Sequence, residues 1–473
     1  MNIVHIARSI VRVALLIPLM LGAQTIDLNQ IKTQADKGDA NAQLTLARLY
    51  YSGNGVVQHF GEAAKWFLKA AEQGEPVAQK ALASMYFGGQ GVAQSSAEAV
   101  KWFRKAADQG DVQAQNELAV LYSSGQGVAQ DYREAANWFR KAADRGDAVA
   151  QKNLGVLYST ARGVALDRTE AAKWFRKAAE QGNAQAQNEL GRALLSGLGV
   201  GRDPVEAVGW FRKAAEQEEG TAQANLGLLY LVGQGVQTND VEALKWFRRA
   251  ADKGNAQANY YLGVMSFRGR GMEKDGAAAV SYYKKAAELG DLTAQNELAW
   301  MYENGQEVTA DLTEALKWYR RAADQGYATA QFNLGVMYSK GRGVATNLTE
   351  AVNWYRKAAD QGHAMAQNEL GGLYKGGLGV TKDPQQALSL FTKSAEKGYS
   401  LAQQNLGILY ASDDGTVKKD VVEAYKWFNL AAAQNNTNAA AARDVLLKSL
   451  TTEQINDGQK RSMDFQNRQQ GEN

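Results

Sequence analysis

Few residues in this 473-residue chain carry side chains suited to chemistry. Cysteine is absent, which excludes thiol catalysis, zinc–thiolate sites, iron–sulfur clusters and disulfides. The three histidines, His5, His59 and His363, are too few and too scattered for a histidine metal site or acid–base network. Ser281-Tyr-Tyr-Lys284 has the Ser-x-x-Lys spacing of a nucleophile and its base. However, no Lys-Thr-Gly or Ser-Asp-Asn partner occurs, and Lys284 falls where related segments carry arginine. The paired glycines Gly89/Gly91, Gly197/Gly199 and Gly341/Gly343 lack the third glycine and preceding strand of a phosphate cradle. Most carboxylates stand at helix starts or four residues from an arginine, as in Arg104–Asp108 and Arg140–Asp144, and read as solvated helix surface. No catalytic, cofactor or metal constellation emerges. We expect a protein that is not an enzyme.

The elements that carry these residues repeat. Tryptophan occurs at 66, 102, 138, 174, 210, 246, 318 and 354, always at multiples of 36 residues, with Tyr282 and Leu390 on the missing beats. One residue is inserted between Gly415 and Glu423, ahead of Trp427. Eleven repeats follow, at 39–74, 75–110, 111–146, 147–182, 183–218, 219–254, 255–290, 291–326, 327–362, 363–398 and 399–435. A period of this length means a stacked array. In the second repeat Ala99, Trp102, Phe103, Ala106 and Ala107 line one helical face, and in the third Ala114, Leu118, Leu121 and Tyr122 line another. Each unit is therefore a hairpin of helices A and B. The expected fold is all-α, an α/α solenoid of about eleven 36-residue hairpins.

The punctuation agrees. Helix B opens with Asp, Asn or Ser in ten of eleven copies, and a glutamate often follows as in Asp131…Glu134 and Asp203…Glu206, which predicts capping boxes. Gly38, Gly74, Gly110, Gly146 and Gly182 end hairpins, and Gly-x-Gly-Val turns join the two helices. The Ala42 column is alanine throughout and the Ala47 column holds only Ala or Gly, so neighbouring backbones can approach closely. The Gln43 column is glutamine in ten of eleven copies, with Asn259 the exception, and is expected to bond the adjacent backbone turn.

The unit Ala-Gln-x-x-Leu-Gly-x-Leu-Tyr, then Gly-x-Gly-Val, then Glu-Ala-x-x-Trp-Phe-Arg-Lys-Ala-Ala-x-Gln-Gly resembles the Sel-one-like repeat (SLR), a relative of the tetratricopeptide repeat. The resemblance covers about 39–435. It implies a protein–protein interaction scaffold, with helix A lining a concave groove. Bacterial members are exported to the periplasm or secreted, and eukaryotic ones serve ER quality control. Some exported relatives staple each hairpin with a disulfide and have been described as β-lactamase-like. This chain lacks those cysteines.

Arg8 and Arg12, the apolar run Val13–Leu21 and the small pair Gly22-Ala23 form a signal-peptide pattern over 1–23, with cleavage expected after Ala23 and an uncleaved anchor as the alternative. The run is too short to span a bilayer, so no membrane span is expected after its removal. Loss of Arg8 and Arg12 takes the net charge from +3 to +1, which gives no drive toward nucleic acid. A lead-in is expected at 24–38 and capping helices at 436–466. Within the latter, Thr437–Leu450 reads as an extra helix A with Ala440, Val445 and Leu446 inward, and Thr451–Gln454 starts another helix. The tail 467–473 is expected to be disordered.

These readings converge on an exported, monomeric scaffold of the cell envelope, periplasmic or secreted. It would bind a protein or peptide partner. A cell-wall or polysaccharide-binding module is the alternative, and a β-lactamase-like or peptidoglycan hydrolase a remote one. The partner-binding candidates are Tyr260, Tyr261, Trp300 and Phe332, aromatics in the variable helix-A columns of repeats seven to nine. Trp300 alone breaks the tryptophan register of helix B.

Overall fold

The computed structural model describes residues 27–412 and 417–471. The expected signal segment lies outside the described residues. Among the described residues there are 25 α-helices and no strand, and consecutive helices pack as hairpins. The chain divides into two compact units, 1–250 and 251–473. The same hairpin is repeated in both, and the fold is an α-solenoid.

Repeat three shows how the sequence makes the unit. Asp111 caps helix A, Val112–Ser124, by accepting from the Ala114 amide at 2.8 Å. Gly125, at φ 73°, ends it in the left-handed region. Asp131 then caps helix B, Tyr132–Asp144, through the Arg133 and Glu134 amides. The expected capping box closes only on this side. The Asp131 amide donates instead to the Tyr122 carbonyl at 2.9 Å, which ties the start of helix B to helix A. Glutamates at the third helical position turn outward to lysine, as Glu98 does to Lys101 at 3.3 Å and Glu170 to Lys173 at 2.7 Å.

Packing follows the columns. Leu118, Ala119, Leu121 and Tyr122 of helix A and Ala135, Trp138, Phe139 and Ala142 of helix B are all buried. The small column is obligatory: a Cβ on Gly155 would lie 2.7 Å from the Phe175 ring. The glutamine column behaves as expected. Gln43 Nε2 donates to the Ala35 carbonyl at 3.0 Å, and nine later copies make the same bond to the preceding helix B, such as Gln331 to Ala323 at 3.0 Å. Asn259 is shorter and turns back to the Asn255 carbonyl at 2.9 Å.

Both ends differ from expectation. The lead-in holds a helix, Leu28–Asp36, whose Ala35 is buried and receives Gln43 as Ala71 receives Gln79. It is a truncated helix B that covers repeat one. At the other end Thr437–Leu447 packs with Ala439, Ala442 and Leu446 inward, while Val445 is 67% exposed. Those three lie on one stripe of spacing three and four, and Val445 falls one residue off it. Thr451 and Gln454 form a reciprocal box, with each side chain bonded to the other's amide at 3.2 and 2.9 Å. The helix they start runs from Thr452 to Gly471, so 467–471 is helical rather than a disordered tail. No Gly or Pro interrupts it between Gly458 and Gly471.

Candidate partner-binding surface

A binding surface must come from side chains that folding has not already used. On helix B two basic columns are engaged internally. Three residues after most helix-B tryptophans a lysine or arginine covers the ring, as Lys105 does Trp102 at 4.1 Å, Lys141 does Trp138 at 3.7 Å and Arg249 does Trp246 at 4.7 Å. Arginines of the Arg104 column reach the next helix A: Arg104 lies over the Tyr122 ring, Arg140 bonds the Tyr158 hydroxyl, and Arg212 bonds that of Tyr230 at 2.7 Å. The expected Arg104–Asp108 and Arg140–Asp144 pairs therefore give way to contacts between repeats. The aromatic hydroxyl and face lie closer to the packed interior than the carboxylate one turn on. Ser281 and Lys284 are both exposed on helix B of repeat seven, Gly276–Glu288. Among the described residues no group of three His, Asp or Glu side chains gathers closely enough to hold a metal ion.

Helix A carries the variation. Its Thr45 column reads Glu117, Asn153, Glu189, Asn225, then Tyr261, then Glu297, Asn333, Glu369 and Asn405. This alternation has a two-repeat period, a signal present in the sequence and missed by a comparison made one repeat at a time. Three of its four asparagines form rungs between repeats: Asn225 Nδ2 donates to Asn188 Oδ1 at 2.9 Å, Asn333 to Asn296 at 3.0 Å, and Asn405 to Asn368 at 2.9 Å. Burial raises the pKa of Glu117 and Glu297 in this column. Glu117 is pushed up to about 7, chiefly by burial, with Asp147 adding to the effect and Lys80 opposing it. Glu297 is raised by burial as well, against its bond from Asn296 and the charge of Arg268.

The four aromatic candidates separate. Tyr260 is partly buried, with ring centroids 5.2 Å from Tyr261 and 5.8 Å from Tyr283, and burial pushes its pKa up to about 12. Phe332 stacks on His363 at 4.9 Å and packs on Tyr355 at 5.8 Å. Phe332 thus reaches from repeat nine to the first residue of repeat ten, whereas the ring contacts of Tyr260 stay within repeat seven. Trp300 is different. It stands on helix A of repeat eight, Leu292–Asn304, and is 41% exposed. Val264 and Val336, in the same column one repeat before and after, are partly buried against the core. The structure thus brings Tyr260 and Tyr261 together and leaves Trp300 as the large ring offered to solvent.

Stacked helical hairpins with an invariant packing set and a variable helix-A face define a helical-repeat protein. Eleven matches to the Sel1 repeat family model, contiguous from 40–75 to 400–436, show that the chain belongs to that family. The chain is 38% identical to a protective antigen present in uropathogenic Escherichia coli strains, whose crystal structure displays an SLR fold. That alignment covers 93% of this chain and 94% of the other, with a TM-score of 0.68. It is 31% identical to a Sel1 repeat protein from Oxalobacter formigenes over 77% of this chain and 94% of the other, with a TM-score of 0.51. No curated protein matches the chain. Folds of this kind typically serve protein interaction.

Proposed function

We propose that this protein is an exported interaction scaffold of the cell envelope, periplasmic or secreted, which acts as a monomer and captures a partner protein on the helix-A face around Trp300. The observation that carries the site is the exposed tryptophan itself. An indole left 41% exposed between the partly buried Val264 and Val336 of its column is a large, rigid apolar contact with an N–H handle. Export is supported by the Arg8/Arg12 segment and the apolar run that follows it. Among the described residues no helix is long and apolar enough to cross a membrane. The likeness to a bacterial protective antigen fits an exported protein as well.

A photo-crosslinking residue placed at 300 in cells tests this reading, with exposed Glu180 on helix B as the control position. We expect one discrete adduct in the envelope or medium fraction from position 300 and none from position 180. Equal labelling from both positions, or adducts confined to the cytosol, counts against it.

A further inference from the structure

Departures from the repeat pattern concentrate at one cavity near the C-terminal end. It measures about 520 Å³ and is lined by Gln367, Lys393, Glu396, Lys397, Lys426, Trp427, Phe465, Arg468 and Gln469. In most other repeats the lysine equivalent to Lys393 covers a tryptophan, as Lys357 covers Trp354 at 3.8 Å. Here the ring is replaced by Leu390, and the Lys393 ammonium has neither hydrogen bond nor ion pair among the described residues.

A second column also departs here, as it does at Gln115 and Gln223, but here it meets a cavity wall of several cations. Gln361 Nε2 donates to Gln331 Oε1 at 2.8 Å, and most repeats form this pair. At the next position thirty residues on from the buried glutamine stands Lys397, which bonds the Gly362 carbonyl instead. Gln367 is only 4% exposed, its Nε2 is held by the Ala359 carbonyl at 3.1 Å, and its Oε1 has no partner. An acceptor buried without a donor is costly, by roughly 1–3 kcal/mol.

The third departure is the C-terminal helix. It closes the cavity with Phe465, whose ring lies 5.4 Å from that of Trp427, and adds Arg468, which has no ion pair among the described residues. Lys426 is partly neutralised by Glu423 at 3.1 Å, and Glu423 is shared with Arg461 at 2.8 Å. The uncompensated charge is therefore that of Lys393, Lys397 and Arg468, set against the single carboxylate of Glu396 on the wall.

We infer that this cavity binds a small hydroxylated polycarboxylate. Separate cations from two helices and the residue that follows one of them suit carboxylates spread over a ligand better than one compact phosphate, which Glu396 repels more strongly. The ligand's hydroxyl donates to Gln367 Oε1 and satisfies the buried acceptor. This site is independent of the helix-A surface and of any protein partner.

Citrate is a suitable probe, since it has three carboxylates and one hydroxyl. Isothermal titration of the full chain at fixed ionic strength should give a single-site isotherm. Propane-1,2,3-tricarboxylate, which lacks the hydroxyl, should bind roughly tenfold more weakly. Gln367→Leu should erase that difference between the two ligands, and Lys393→Gln and Arg468→Gln should each weaken citrate roughly tenfold. Melting curves of the variants establish that they fold. A flat citrate titration, equal affinity for the two tricarboxylates, or binding unchanged in the lysine and arginine variants overturns the inference.

Discussion

Glu117 shows what a single side chain contributes on the helix-A face. Its pKa rises from 4.5 to about 7 because burial penalises the carboxylate. A group raised on folding adds stability that is complete below its unfolded value and is lost as pH climbs through the folded one. Stability should therefore fall between about pH 4.5 and 7, and Glu117→Gln should flatten that slope. Because the side chain is half-buried, we expect a gain of about 1–2 kcal/mol at pH 8 and little change at pH 4.5, read by chemical denaturation. The glutamine column permits a sharper comparison. Gln331→Leu removes a bond to Ala323 and one from Gln361, whereas Gln115→Leu removes only a bond to Ala107, its oxygen having no partner. The first should destabilise by about 1–3 kcal/mol and the second by less, and equal losses would refute the distinction. The role of this column was legible because a polar residue repeated at a packing position must satisfy a repeated backbone group. The Arg104 pairing was not, because spacing along one helix says nothing about the tyrosine presented by the next.

At the scale of the element, each hairpin was readable from caps, glycines and apolar periodicity, and the ends were not. The helix Leu28–Asp36 announces itself only as Ala35-Asp-Lys-Gly38, a fragment of the pattern seen whole at Ala107-Asp-Gln-Gly110. The last helix lacks the repeat pattern altogether, and its place is set by Phe465 against Trp427 and Arg461 against Glu423. Phe465→Ala should cost about 3–4 kcal/mol locally and fray the C-terminal turn, measured as faster amide exchange in 421–471 with slower change elsewhere. Deletion of 436–473 should bare the apolar face of the last hairpin and promote aggregation on gel filtration. A truncated chain that stays monodisperse with an unchanged melting curve would show that these helices cover nothing.

Across the whole chain, one unit written eleven times leaves function to whatever the repetition does not fix. Tryptophans in register, such as Trp318 at 5% exposure, belong to the stack, and Trp300 at 41% does not. That contrast gives the most direct test of a scaffold that binds through helix A. With the partner cross-linked at position 300 in hand, its affinity and the melting temperature are measured for Trp300→Ala and Trp318→Ala side by side. We expect Trp300→Ala to weaken binding by about 2 kcal/mol, roughly thirtyfold in Kd, with the melting temperature nearly unmoved. Trp318→Ala should lower the melting temperature by several degrees. If Trp300→Ala instead melts the protein early and the folded fraction binds its partner as tightly as before, Trp300 is core and the helix-A surface is not where this protein binds.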